Sequence, residues 1–227
     1  MFQEFFPILE GAPMGGLWLL LIYGVLVVVL WMFVLWLVQY KLENAGVMEF
    51  GWASSLAFLG VFYAIKADGY GPRRWLIGTM VLLWGGRLAW HLLSDRILGG
   101  KLEDPRYAVW RERWPRWAGL RFLILFESQA LLAVFLSVPF ALLAVDPLPQ
   151  ITLYEWAGFG LWLVGMWGAW VTDSQLRRYY FFEWLIWAAY FVAALETPYG
   201  AWTILCPLVM IFFLRRQIPR DSETVAS

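Results

Sequence analysis

The first long apolar run decides what this chain can fold into. Residues 16–40 contain no charged side chain and one amide, Gln39. That run exceeds the roughly 20 residues an α-helix needs to cross the hydrocarbon core of a bilayer. Further apolar runs follow at 47–65, 75–93, 122–145, 154–171, 180–195 and 201–214. The pattern predicts an all-α polytopic membrane protein of seven transmembrane helices. Only 15% of the residues are charged, against about 25% in a soluble domain. Little is left over for a soluble part, so residues 1–227 read as a single integral-membrane domain.

Charge in the connections sets the orientation. The longest polar stretch, 94–121, carries Arg96, Lys101, Arg106, Arg111, Arg113, Arg116 and Arg121 against four acidic residues. Such a basic loop marks the cytoplasmic side. Residues 146–150 contain no Lys or Arg and read as external. Residues 1–15 hold Glu4, Glu10 and two prolines without a basic residue, which suits a short external lead better than a signal peptide. Seven spans then place the N-terminus outside and the C-terminus in the cytoplasm; the last two, 180–195 and 201–214, are also short enough for a re-entrant pair. Arg73 and Arg74, on the outer side, run against this rule.

The same composition removes several function classes. The 17 basic and 17 acidic residues balance, so no overall field recruits nucleic acid. One cysteine, Cys206, and one histidine, His91, cannot supply an internal disulfide or a zinc, haem or iron–sulfur ligand set of the usual composition, and no metal is expected. There is no GxGxxG after a strand, no Walker loop and no GxSxG. Any nucleotide must be held by helix ends and side chains.

The polar residues nevertheless have a pattern. Trp84, Arg87, His91 and Asp95 recur at a helical period and should face neighbouring helices. The alternative is that Arg87 and His91 snorkel to the headgroups. In the seven-span arrangement the cytoplasmic ends of spans two to six gather Glu49, Arg87, His91, Arg96, Asp104, Arg106, Tyr107, Glu127, Asp173, Gln175, Tyr180 and Glu183. A transporter would concentrate such groups and broken helices near the midplane, where these spans are almost uniformly apolar. The asymmetry favours a membrane enzyme taking a soluble cofactor from the cytosol and an apolar substrate from the bilayer; a structural or assembly protein is the alternative. Individually, Glu49 and Glu183 also suit helix N-terminal ends. Asp173 with Arg177 or Arg178 suits a surface pair, His91 a hydrogen-bonded packing position, and Tyr180 an interfacial anchor.

Taken together, several short motifs carry a family likeness. Arg87 and Arg96, the run Glu103-Asp104-Pro105-Arg106-Tyr107, Gln129, Thr172-Asp173-Ser174-Gln175 and the run 180–187 (Tyr-Phe-Phe-Glu-Trp-Leu-Ile-Trp) resemble the bacterial DUF1295 proteins. Those are similar to the membrane-embedded steroid 5α-reductases. The resemblance extends from Val47 onward. It implies a seven-helix reductase of the bacterial inner membrane that binds NADPH in a cytosol-facing cavity and passes hydride to an activated, enone-like C=C bond of a lipid or steroid-like substrate. It makes Arg87, Arg96, Asp104, Arg106, Tyr107, Asp173, Gln175, Tyr180 and Glu183 cofactor-site residues. Glu49 resembles the second-helix glutamate that hydrogen-bonds the substrate carbonyl, and if desolvated it would stay protonated and donate. The chain departs from the pattern in three places, one of them a tail that stops at Ser227, short of the usual Tyr-containing ending. An Arg-His-Pro-Asn loop usual before the Tyr-Phe-Phe-Glu run is missing, and Trp84 stands where the steroid enzymes have a tyrosine. Isoprenylcysteine and phospholipid methyltransferases share a similar carboxyl-terminal pattern, so an S-adenosylmethionine-dependent methyltransferase is the second reading and an inactive scaffold the third.

Overall fold

The computed structural model describes residues 14–99, 103, 105–113, 116–172 and 176–217. Every regular element among them is helical. The chain divides into two compact units, Met1–Leu148 and Pro149–Ser227.

The first unit opens with α1, Met14–Leu42. Leu17, Leu20, Gly24, Val28, Met32, Leu35 and Gln39 are buried, a stripe three to four residues apart. The opposite side, with Trp18, Ile22, Leu26, Leu30 and Leu37, is exposed and just as apolar. A helix facing water would carry polar residues there; this one faces lipid.

Helices α2, Val47–Lys66, and α3, Gly71–Leu92, form the tightest pair in this unit. Small residues permit it: a methyl group added at Gly60 would lie 2.6 Å from Val81 Cβ. The helix of α3 continues as a π-helical segment, Leu93–Leu98. Its wider turns move Asp95 off the 3.6-residue period set by Trp84, Arg87 and His91 within α3. Trp84 is fully buried and Arg87 half-buried, but His91 is exposed, so His91 is not the packing histidine expected.

A short helix, α4 (Pro105–Arg113), precedes α5 (Ala118–Leu136) and α6 (Val138–Val145). The run 122–145, expected as one helix, is interrupted at Ser137 because Pro139 opens α6. Its ring would clash with the carbonyl four residues back, and it has no N–H to donate. Ser137 Oγ donates to the Val134 carbonyl, and the Tyr63 hydroxyl meets Ser137 Oγ at 2.9 Å, binding the break to α2.

Arg73, one of the two arginines at odds with the charge rule, is 1% exposed. Its Nη1 donates to the carbonyls of Asp146 and Leu148, each at 3.0 Å, and lies 3.4 Å from the Asp146 carboxylate. Arg74 turns back onto the Ala67 carbonyl.

The second unit begins with α7, Leu153–Val171, whose start is fixed by a capping box between Thr152 and Glu155. Helix α8, Leu176–Ala194, packs along it. Three glycines of α7, Gly158, Gly165 and Gly168, face α8, with added methyls lying 2.7 Å from the Ala189 carbonyl, 2.6 Å from Ile186 and 2.2 Å from the Phe182 ring. Gly160 faces open space. A tight turn and a 3-10 segment, Gly200–Ile204, lead into α9, Leu205–Gln217.

Four stretches among the described residues are long and apolar enough to cross a bilayer: Gly16–Leu42, Val47–Lys66, Gly71–Asp95 and Ala118–Val145. All lie in the first unit, and Gly200–Phe213 is a shorter apolar helix in the second. The chain is an integral membrane protein with an all-α fold.

Candidate functional site

The polar groups that come together in the first unit are held by α4. The Tyr107 hydroxyl points at Glu49 Oε1 of α2 from 3.4 Å, longer than the roughly 2.5–3.0 Å usual for a hydroxyl–oxygen hydrogen bond. Tyr107 is buried and Glu49 half-buried. One helical turn further along α4, Arg111 grips Glu103 side-on, Nη2 to Oε1 at 2.8 Å and Nε to Oε2 at 3.3 Å. Two parallel charge-assisted bonds fix orientation as well as distance.

Glu103 Oε1 also accepts from the backbone N–H of Ala45 at 2.8 Å, and Arg111 Nη2 reaches Gln39 Oε1 at 3.4 Å. The network thereby ties α4 to the end of α1 and the turn before α2. Phe122 of α5 lies beneath it. The Arg111 guanidinium sits 4.8 Å from the centre of its ring, and the Tyr107 ring meets it edge-on at 6.4 Å. This cation–π contact and the T-shaped pair each favour one orientation of α4 on α5.

Trp52, three residues after Glu49 and so on the same face of α2, meets the buried ring of Trp84 edge-on at 6.4 Å. Its indole N–H is shielded from solvent and has no hydrogen-bond partner among the described residues. On α5, the Glu127 carboxyl oxygen Oε2 is likewise buried without one. Orphaned polar atoms of this kind in an apolar setting mark places where a ligand can bond.

The expected site residues divide as follows. Glu49 and Tyr107 are brought into contact, and Arg87 lies in the same unit at the end of α3. Tyr180 and Glu183 belong to α8 in the second unit, Tyr180 half-buried and Glu183 4% exposed. In that unit Trp162 Nε1 donates to the Tyr190 hydroxyl at 3.0 Å, with Trp187 stacked edge-on against Tyr190. Asp104, Asp173 and Gln175 lie outside the described residues, as do the side chains of Arg96 and Arg106. Among the described residues no three of His, Cys, Asp and Glu gather as a metal would need.

The sequence reading missed the roles of Glu103, Arg111 and Gln39. Gln39 had a signal: an amide alone in a run of lipid-compatible residues is worth explaining.

An all-helical membrane protein whose charged network sits at helix ends is the class that these features define. Residues 35–179 match the model of a family described as a protein of unknown function, DUF1295, and the chain belongs to that family. The matched segment includes Glu49, Arg87 and Tyr107; Tyr180 and Glu183 fall just beyond it. No curated protein and no solved structure matches the chain.

Proposed function

We propose that this chain is an NADPH-dependent membrane reductase acting on an activated C=C bond of a lipid or steroid-like substrate. The observation that carries the reading is the contact between Glu49 and Tyr107 within a member of this family. Two groups that the family resemblance assigns different roles, one to substrate and one to cofactor, lie 3.4 Å apart.

The residues present suit the cofactor chemically. Guanidinium groups such as Arg87 match phosphates bidentately, and the buried carboxylate of Glu183 is a partner for amide or ribose donors. Arg96, Asp104, Arg106, Asp173, Gln175 and Tyr180 complete the proposed set. NADPH, when bound, supplies the hydride. In its protonated form Glu49 would donate a hydrogen bond to the substrate carbonyl and stabilise the negative charge that grows on its oxygen. Tyr107 donates to Glu49 Oε1 and holds that carboxyl in one orientation. Trp52, through its unsatisfied indole N–H, offers the same carbonyl a second donor. The Arg111–Glu103 bridge keeps α4, and with it Tyr107, in register.

The chain works in this reading as one domain, 1–227, with seven spans, an external N-terminus and a cytoplasmic C-terminus. The exposed apolar side chains of α7 (Trp156, Leu163, Val164, Trp167 and Trp170) support its lying in lipid. The basic 94–121 segment supports the cytoplasmic side for the site.

Thermal unfolding of the purified protein with each nucleotide tests the proposal. A ligand of the folded state raises the midpoint by mass action. NADPH should raise it and S-adenosylmethionine should not. The reverse result would establish the methyltransferase reading, and no shift with either the scaffold reading.

A further inference from the structure

Between α4 and α5 lies a half-open groove of about 320 Å³, at the small end of ligand-pocket volumes. Trp110 of α4 forms one wall, and Arg121, Phe122, Ile124, Leu125 and Ser128 of α5 form the other. These α5 residues share one broad helix face. From Arg121 to Ser128 the helix rises about 10 Å. The cavity therefore has a cation at one end, a hydroxyl at the other and hydrocarbon between them. That is the layout complementary to an amphiphile.

Its depth in the membrane is indicated by what flanks it. Arg116 and Trp117 precede α5, both exposed, and Trp110 is also exposed. Tryptophan and arginine settle at the headgroup level, which puts the Arg121 end of the cavity there. Along α5, Ile124, Leu131 and Phe135 are exposed apolar side chains, so beyond the groove the helix itself runs on with a lipid-facing side into the acyl region. The exposed basic residues of the flanking segment, Arg113 and Arg116, favour a leaflet rich in anionic lipid.

We propose that this cavity is a binding site for an anionic phospholipid, with its phosphate on Arg121 and one acyl chain lying along Phe122, Ile124 and Leu125. Phe122 belongs to the cavity wall and also carries Arg111 and Tyr107. The lipid site itself does not depend on the reductase reading.

The test is native mass spectrometry of the full-length protein released from nanodiscs of equal parts phosphatidylglycerol and phosphatidylcholine. The wild type should retain one phosphatidylglycerol in clear preference. Arg121→Gln should lower that retention at least fivefold, to the level of phosphatidylcholine, while Arg121→Lys keeps the preference. Leu125→Trp, which fills the cavity, should lose both lipids; if that variant does not fold, the Gln and Lys pair decides. Equal retention of the two lipids by the wild type, or unchanged preference in Arg121→Gln, overturns the proposal. Displacement of the lipid by inorganic phosphate also overturns it, by showing an anion site without a lipid chain.

Discussion

The Tyr107 hydroxyl and Glu49 Oε1 stand 3.4 Å apart, although 58 residues of chain separate them. One belongs to a short polar helix and the other to the first turn of a membrane span, and their contact draws the connection onto the span's end. Tyr107→Phe tests it directly. The ring packing against Phe122 and Trp110 survives the change, so the unfolding midpoint should fall by no more than the equivalent of about 1 kcal/mol. If Tyr107 orients Glu49 in the proposed reaction, kcat should drop about tenfold with KM little changed, read from NADPH oxidation with an enone lipid. An unaltered kcat would remove Tyr107 from that role.

Arg111 acts through three partners at once: the Glu103 carboxylate, Gln39 and the face of Phe122. Arg111→Ala strips Glu103 of its guanidinium while leaving the carboxylate only partly exposed, and should destabilise the protein by about 2–3 kcal/mol. Arg111→Lys keeps the charge but not the paired geometry and should recover less than half of the loss. Unfolding in mild detergent, followed by tryptophan fluorescence, measures both.

Arg73 should behave as a structural residue. Arg73→Ala leaves two carbonyl oxygens and the Asp146 carboxylate without their shared partner and should cost about 3–5 kcal/mol. The sidedness of the flanking segments should not change, as cysteine-accessibility labelling in whole cells would report. Reversed labelling would mean that Arg73 acts as a topological signal.

Along α7 the glycines predict a graded response. Gly168→Leu and Gly158→Leu force side chains into α8, where even a methyl group would sit within 2.7 Å of another atom, and should destabilise the protein by more than about 2 kcal/mol. Gly160→Leu meets nothing within 4 Å and should change the midpoint little. Equal effects at the three positions would refute the α7–α8 packing.

The membrane helices of the first unit were legible because length and apolarity are local properties of a sequence. The break at Ser137 was less so: a proline within an apolar run can kink or end a helix, and only the buried Tyr63–Ser137 contact shows which. The fine positions of polar residues depended on register. A π-helical segment after Leu92 shifts every following side chain around the axis, so Asp95 no longer continues the stripe of Trp84, Arg87 and His91 at the predicted spacing. Glu49 and Tyr107 were each identified by family likeness, but their meeting depends on how the connection folds back. The Glu103–Arg111–Gln39 network was hidden for the same reason, since its members are strangers in sequence.

Arg73 also bears on how the charges of this chain should be counted. A guanidinium sealed within protein and turned onto carbonyl oxygens touches neither lipid headgroups nor water, and says little about which compartment its end of the helix occupies. Arg74, folded onto Ala67, is partly withdrawn in the same way. With these two cations set aside, the imbalance between the connecting segments grows steeper, and what looked like a contradiction becomes an internal fastening.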